Sequence, residues 1–325
     1  MKNILFKYFI LLFQKTSIMV GGQAVINGVM MRVPGAYATA VRLKTGEIKV
    51  QYNRYIAKVE KYKVQNIPVV RGFIHLIDSM KIGYKTLDWS AETSEESTEK
   101  SNIFIEKTLS VVSVVFVITL FMGIPYYLAE LGLANISSNN IIFNLVAGIF
   151  RLIIFIIYLV LLSQLKEIKK LFQYHGAEHK VVFNFESGEK LSIENAKTFS
   201  TKHPRCGTSF MFIIMIVTII TYSFIDTFIA NIFKINFNIF NRILIHLLFL
   251  PMVAGFGYET LKFLSKMQKY FLFRMLSQPG LWLQNITTKE PNNEQLAVSI
   301  KALESAFQNN MSNYEGKKHI ADAIG

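Results

Sequence analysis

The sequence predicts an α-helical membrane protein with four transmembrane helices, arranged as two hairpins, and a small β-rich cytoplasmic unit near the N-terminus. Of the 325 residues, 51% are hydrophobic and the mean hydropathy is +0.33, as is typical of membrane proteins. Four apolar runs are long enough to cross a hydrocarbon core of about 30 Å, which takes about 20 residues. They cover residues 109–131, 141–163, 209–230 and 240–264.

The charge balance indicates lipid rather than nucleic acid as a partner. The formal net charge is +13, from 35 Lys and Arg against 22 Asp and Glu. Because these cations flank the apolar runs instead of forming one basic domain, we expect contact with membrane lipids and no nucleic-acid binding. Cys206 is the single cysteine, so an intramolecular disulfide is excluded and a reducing compartment is favoured.

Residues 1–20 are interpreted as an amphipathic N-terminal extension. Lys7 interrupts its apolar run and no small-residue cleavage site follows before Gly21, so we expect it to stay uncleaved. Residues 21–105 form the cytoplasmic β-rich unit. Two β-favouring runs, 36–43 and 47–52, are joined by the turn sequence Lys44-Thr45-Gly46.

The same unit is predicted to contain an amphipathic helix. Between residues 71 and 89 the apolar side chains recur at helical spacing, which suits a helix lying either on the membrane surface or on the β unit. Residues 90–101 are rich in Ser, Thr and Glu and are interpreted as a linker.

Residues 106–264 form the predicted four-span bundle, including a cytoplasmic loop at 166–208. The other two connections contain one Lys between them, whereas the loop and the segments outside the bundle are basic. The positive-inside rule then predicts a multi-pass protein of the plasma membrane with both termini cytoplasmic. Residues 265–325 are predicted to hold an interfacial helix, a turn at Pro279-Gly280 and a last amphipathic helix.

The sequence His175-Gly176-Ala177-Glu178-His179 carries the clearest chemical signal. If the second span continues helically past the membrane surface, its two histidines lie one turn apart with Cβ atoms about 5–6 Å from each other. That spacing suits a shared divalent metal, for which zinc is the first expectation. Glu178 completes the order His-x-x-Glu-His of inverted zinc proteases and is the predicted general base toward a metal-activated water. The alternative is a pair of interfacial histidines hydrogen-bonded to headgroups or backbone.

A second group of candidate ligands precedes the third span, in His203-Pro204-Arg205-Cys206. Pro204 suits the first helical position, which puts Cys206 in the first turn, where the helix dipole favours a thiolate and hence a soft metal ligand. The same helix start would also suit a phosphate or lipid headgroup. A small buried cysteine at a helix start is the structural alternative.

Glu259, near the end of the fourth apolar run, is expected at the same depth in the membrane. The predicted metal ligands are therefore His175, His179, His203, Cys206 and Glu259. In the alternative interpretation, Glu259 pairs with Lys262 or Lys266.

Charged residues also lie inside the apolar runs. Arg151 is in the middle of the second run, with Asp226 in the third and His246 in the fourth as partners. A structural ion pair is the first interpretation, and a transport pathway is the alternative.

Five separated segments resemble the YqhQ family of bacterial membrane proteins over about residues 20–310. They are residues 21–25, 29–32, 175–180, 203–210, and 281–284 followed by Thr287-Thr288. The resemblance implies a family of unknown function whose members are described as predicted metal-dependent enzymes, and it supplies no substrate. The chain departs from the expected pattern at Asn27, where the family is expected to carry Glu, and at Val33, where it is expected to carry Gly.

Together these observations predict an integral membrane metal-binding protein that acts as a metal-dependent hydrolase. Its substrate would be a lipid or a membrane-proximal molecule at the cytoplasmic face. One alternative is a non-enzymatic membrane scaffold or assembly factor, in which the metal only holds the cytoplasmic loop 166–208 against the bundle. The other is a transporter that uses the charged residues inside the spans.

Overall fold

The computed structural model describes residues 18, 20–58, 67–94, 103–133, 139–267 and 270–319, so nearly all of the predicted N-terminal extension lies outside the described residues. The strands are β1 Gly21–Val25, β2 Gly28–Val33, β3 Ala36–Arg42 and β4 Ile48–Arg54. The helices are α1 Val70–Ser94, α2 Ile103–Ile118, α3 Ile124–Leu133, α4 Asn140–Leu162, α5 Lys166–Ser187, α6 Ile193–Thr198, α7 Gly207–Phe233, α8 Ile239–Lys266, α9 Phe271–Thr287 and α10 Asn293–Phe307. A π-helical turn, Thr119–Gly123, joins α2 to α3, and a 3₁₀ turn, Gln308–Asn313, follows α10.

The four strands form one antiparallel sheet in the order β1-β2-β3-β4. The two predicted β runs are confirmed as β3 and β4, which pair from Ala36↔Arg54 to Arg42↔Ile48. Strands β1 and β2 are joined by a tight turn in which Asn27 has a φ of 53°. Asn tolerates this left-handed conformation better than most residues, so Asn27 has a turn role here.

The sheet lies between two helical layers. Its side chains alternate between the two faces, as in any β-strand. On one face Met30, Tyr37 and Val41 pack against Ile82 of α1. On the other face Met31, Ala38 and Ala40 pack against α5 and α10. The predicted amphipathic helix 71–89 therefore lies on the β unit, and the predicted last helix is confirmed as α10.

The four predicted apolar runs are confirmed as helices that are long and apolar enough to cross a membrane. They cover Lys107–Leu133, Asn140–Leu162, Met211–Phe233 and Ile239–Leu264. Within this bundle α3 packs on α4, α4 on α7, and α7 on α8. Most of their large apolar side chains point outward, which is the surface expected of helices that face lipid.

A buried polar network joins three of these helices. Asp226 of α7 forms an ion pair with Arg242 of α8, and its other oxygen lies 2.8 Å from His246 Nε2. Asn144 of α4 donates to the same carboxylate at 2.7 Å. The predicted partner for Asp226, Arg151, instead donates from Nε to the Phe121 carbonyl of the π-helical turn at 2.8 Å. The network therefore contains a buried ion pair, with Arg242 as the cation.

Two predicted helix boundaries are corrected. The second apolar helix does not continue through the histidines, since it ends at Leu162 and α5 begins at Lys166. At this break Ser163 Oγ and Gln164 Nε2 both bond to the Val160 carbonyl, and such side-chain bonds compete with helical ones. Helix α7 begins at Gly207, one turn later than Pro204 predicts, with Cys206 as its N-cap.

Two predicted breaks are helical instead. Helix α1 continues through the first part of the predicted linker to Ser94, and Ser90 within it accepts a hydrogen bond from the Ile26 amide at 3.1 Å. The serines that resemble linker residues therefore hold the β1–β2 turn. Helix α9 likewise continues through Pro279-Gly280, and beyond this dipeptide its buried residues Leu283 and Gln284 anchor it.

Candidate metal centre

The two histidines of the motif lie one turn apart on α5. Their ring centroids are separated by 4.5 Å, so the predicted spacing holds although the helix is not continuous with α4. Gly176 between them permits a close contact, since a Cβ there would lie 2.1 Å from the Lys289 carbonyl oxygen. The Lys289 amide donates to the Phe172 carbonyl at 2.9 Å. Gly176 thus allows the segment after α9 to pack directly on α5.

Backbone carbonyls set the orientation of both imidazole rings. His175 Nδ1 lies 2.8 Å from the Thr287 carbonyl oxygen, and His179 Nδ1 lies 2.5 Å from that of Thr201. A carbonyl only accepts, so each Nδ1 carries the hydrogen and each Nε2 presents a lone pair. This is the tautomer in which histidine binds a metal through Nε2.

Cys206 completes a group of three ligand atoms. Its Sγ lies 3.2 Å from His175 Nε2 and accepts from the Thr208 amide at 3.5 Å. The ligand atoms of His175, His179 and Cys206 all lie within 4.8 Å of one another. Ligands around tetrahedral zinc are separated by about 3.3–3.6 Å, as follows from bond lengths of about 2.0–2.3 Å. The 4.8 Å limit is wider than this, so the ligand atoms would have to move closer together around a bound ion, but two imidazoles and a thiol are ligand types that zinc accepts.

Glu178 lies beside this group but outside it. The residue is 5% exposed, and its Oε2 is 3.5 Å from His179 Nε2. Burial raises the pKa of this carboxyl, and the nearby His175 and His203 oppose the shift. The Gly22 amide of β1 also donates to the carboxylate. A Cβ at Gly22 would lie 2.7 Å from Glu178 Cγ, so the glycine lets β1 pass directly over the side chain.

His203 adjoins the group without joining it. Its ring centroid is 5.6 Å from that of His179, and its backbone is held by the Gln284 side-chain amide through bonds of 2.8 and 2.9 Å. Among the described residues, its buried Nε2 has no hydrogen-bond partner and lies 3.7 Å from Glu186 Oε2. Burial lowers the pKa of His203, whereas Glu186 opposes this shift.

Glu259 is placed in a different arrangement. Its carboxylate accepts two bonds from Arg71 of α1, of which the bond from Nε is 2.7 Å. The forked guanidinium matches a carboxylate in this way, so the pair joins α1 to the end of α8. Among the described residues, the group of potential metal ligands does not include Glu259 or His203.

Sequence reasoning missed the residues that orient the group. Thr287 supplies the carbonyl for His175, Gln284 clamps His203, and Gly22 contacts Glu178. All three lie in segments that carry the family resemblance, which was the available signal. Four of the five separated segments, 21–25, 175–180, 203–210 and 281–288, thus contribute residues to this group of side chains or to its surroundings.

Comparisons with known proteins match most of the chain. A family model described as a protein of unknown function (DUF1385) matches residues 67–309. The uncharacterized protein YqhQ of Bacillus subtilis (strain 168) is 34% identical over 301 residues, which cover 87% of this chain and 90% of that protein. No solved structure matches the chain. The matched region includes the histidines of α5, Cys206 and the two orienting residues of α9.

Proposed function

The chain belongs to the YqhQ family, described as proteins of unknown function (DUF1385), and on this premise we propose that it is a membrane-spanning, metal-dependent hydrolase. The proposal rests chiefly on one observation: two carbonyl-oriented imidazoles and a thiol place their ligand atoms within 4.8 Å of one another beside a buried carboxylate. Catalytic zinc sites commonly have three protein ligands of these types. Zinc bound there would supply Lewis acidity.

The chain's own residues divide the work between binding and proton transfer. His175, His179 and Cys206 would hold the metal, and Glu178 would accept a proton from the attacking water. A general base works best when its pKa lies near the operating pH, and burial raises the pKa of Glu178 in that direction. The Gly22 amide donates a hydrogen bond to this carboxylate and orients it. The base is therefore held by β1, which is remote in sequence from α5.

The position of the group supports a lipid or membrane-proximal substrate. Cys206 caps α7, whose apolar part begins at Met211, so the ligands lie just outside one end of the apolar bundle. Basic segments adjoin that end, which makes it the cytoplasmic end by the positive-inside rule. A lipid headgroup at that surface of the membrane would lie at the level of these ligands.

The metal assignment predicts about one equivalent of transition metal per chain in purified protein. We expect the double variant His175→Ala, His179→Ala to lose most of it, because it removes two of three ligands. Metal content is measured by inductively coupled plasma mass spectrometry, with Lys170→Ala, an exposed change on the same helix, as the control. Full metal retention by the double variant would disprove the assignment.

A structural metal in a membrane scaffold is the second candidate. Burial favours this candidate, since His179 is 2% and Cys206 8% exposed. The hydrogen bonds of His175 to Thr287 and of His179 to Thr201 favour it too, because they already join α5 to two other segments. A metal held only for this purpose needs no general base. The Glu178→Gln experiment described in the Discussion separates the two candidates.

The proposed topology has its own test, in single-cysteine variants on a Cys206→Ser background. Lys190→Cys lies between α5 and α6, and Asn236→Cys lies between α7 and α8; both positions are exposed. In intact cells an impermeant maleimide should label Asn236→Cys and not Lys190→Cys, because basic segments stay inside. Both should react after lysis. Labelling of Lys190→Cys in intact cells would contradict the orientation.

A further inference from the structure

Helix α1 presents a row of large apolar side chains to its surroundings. Met80, Tyr84 and Leu87 are 61%, 73% and 39% exposed. The buried residues of the helix are Ile82, which packs on the sheet, and small or polar residues such as Thr86. Each residue advances the helix by about 100°, so Met80 and Tyr84 lie about 200° from the buried positions two residues further on. Met80 and Tyr84 therefore point away from Ile82, which packs on the sheet.

Exposed cations border this row. Lys81 and Lys85 lie beside Met80 and Tyr84, and Asp88 is the acidic residue near Leu87. An exposed helix face in water is normally polar. A face with aromatic and aliphatic side chains flanked by lysines is typical of helices at the headgroup and acyl boundary, where lysine stems lie along apolar surface and the ammonium reaches the headgroups.

The start of α1 is fixed at the end of the apolar bundle. A Cβ at Gly72 would lie 2.8 Å from Tyr258 Cβ, and a Cβ at Gly255 would lie 2.3 Å from the Val69 carbonyl oxygen. The Arg71–Glu259 pair adds a charged link at the same level. These contacts place the first turn of α1 beside the last turns of α8, so α1 begins at this end of the apolar bundle.

We propose that α1 is an interfacial helix whose face of Met80, Tyr84 and Leu87 is seated in the phospholipid bilayer. This proposal rests on the membrane-spanning part of the proposed function. It also connects the bilayer to the metal centre through β1. A Cβ at Gly83 of α1 would lie 2.8 Å from the Gln23 side chain, and the preceding residue, Gly22, contacts Glu178. The lipid-bound helix thus supports the strand that orients the general base.

Photo-crosslinking of the full-length protein tests the contact. Benzoylphenylalanine replaces Tyr84 in one variant and Glu304 in a control variant. Glu304 is also an exposed helical position, but it lies on α10, which covers the opposite face of the sheet. Each purified protein is reconstituted in vesicles of phosphatidylethanolamine and phosphatidylglycerol, irradiated, and examined by mass spectrometry.

We expect lipid adducts at position 84 and no lipid adducts at position 304. Absence of lipid adducts at position 84, or equal yields of lipid adducts at both positions, would overturn the proposal. The metal content of the same samples keeps the two proposals apart. Retained metal without lipid adducts at 84 overturns the interfacial helix alone, whereas lipid adducts at 84 without metal support the helix and contradict the metal centre.

Discussion

Replacing Glu178 by Gln is expected to lower the activity by a factor of about 10²–10⁴ while leaving metal content and protein abundance unchanged. The amide keeps the size of the side chain and its ability to accept a hydrogen bond from the Gly22 amide. It loses the negative charge and the capacity to take up a proton. Because Glu178 lies outside the group of three ligand atoms, the substitution removes no metal ligand. Only proton transfer should suffer.

The measurement compares complementation by Glu178→Gln and His179→Ala in a cell whose phenotype depends on this protein. Metal content and membrane abundance are determined for each variant, with the exposed Glu189→Gln as the control. The hydrolase requires that Glu178→Gln resembles a deletion although the metal site is filled. Full complementation by Glu178→Gln, together with loss of the His179→Ala protein, would instead identify a structural metal and a scaffold.

Local patterns were sufficient to predict most of the fold. Four runs of about 20 apolar residues have few alternatives to long helices, and the described residues contain four such helices whose ends lie within about three residues of the predicted limits. The breaks were less accurate, because Ser, Pro and Gly have local preferences that tertiary contacts override. Ser90 lies within α1, and its hydroxyl accepts a hydrogen bond from the Ile26 amide, which is 64 residues away in sequence. Such a partner is invisible to a local pattern.

The candidate site was predictable where spacing along one helix determines distance. His175 and His179 are neighbours on any helix that contains both, so a wrong helix start did not affect them. Membrane depth was a weaker guide. It places Glu259 at the correct end of α8, but the direction of the side chain around the helix is set by Arg71. The contacts of Gln284 and Gly22 depend on the tertiary fold, and the family resemblance was their only signal in the sequence.

Replacing Asp226 by Ala is expected to lower the free energy of unfolding by about 3–5 kcal/mol, because it leaves the buried Arg242 without its anion. Asp226 and His246 are both 0% exposed, and the carboxylate joins α7 to α4 and α8 through Asn144, Arg242 and His246. Each of its oxygens has a partner, so the arrangement favours a structural lock over a transport pathway. Loss of the carboxylate would leave several polar groups unpaired at once.

Unfolding of detergent-purified protein by sodium dodecyl sulfate measures this effect, with Asn231→Ala, an exposed change on α7, expected within about 0.5 kcal/mol of the unchanged protein. A double-mutant cycle adds the sharper test. Arg242→Ala alone also leaves a buried charge without its partner, whereas the double variant removes both charges. Its destabilisation should therefore fall short of the sum of the single changes by about 0.5–3 kcal/mol. Strict additivity would show that the two side chains are not coupled and would contradict the structural role of the Asp226–Arg242 pair.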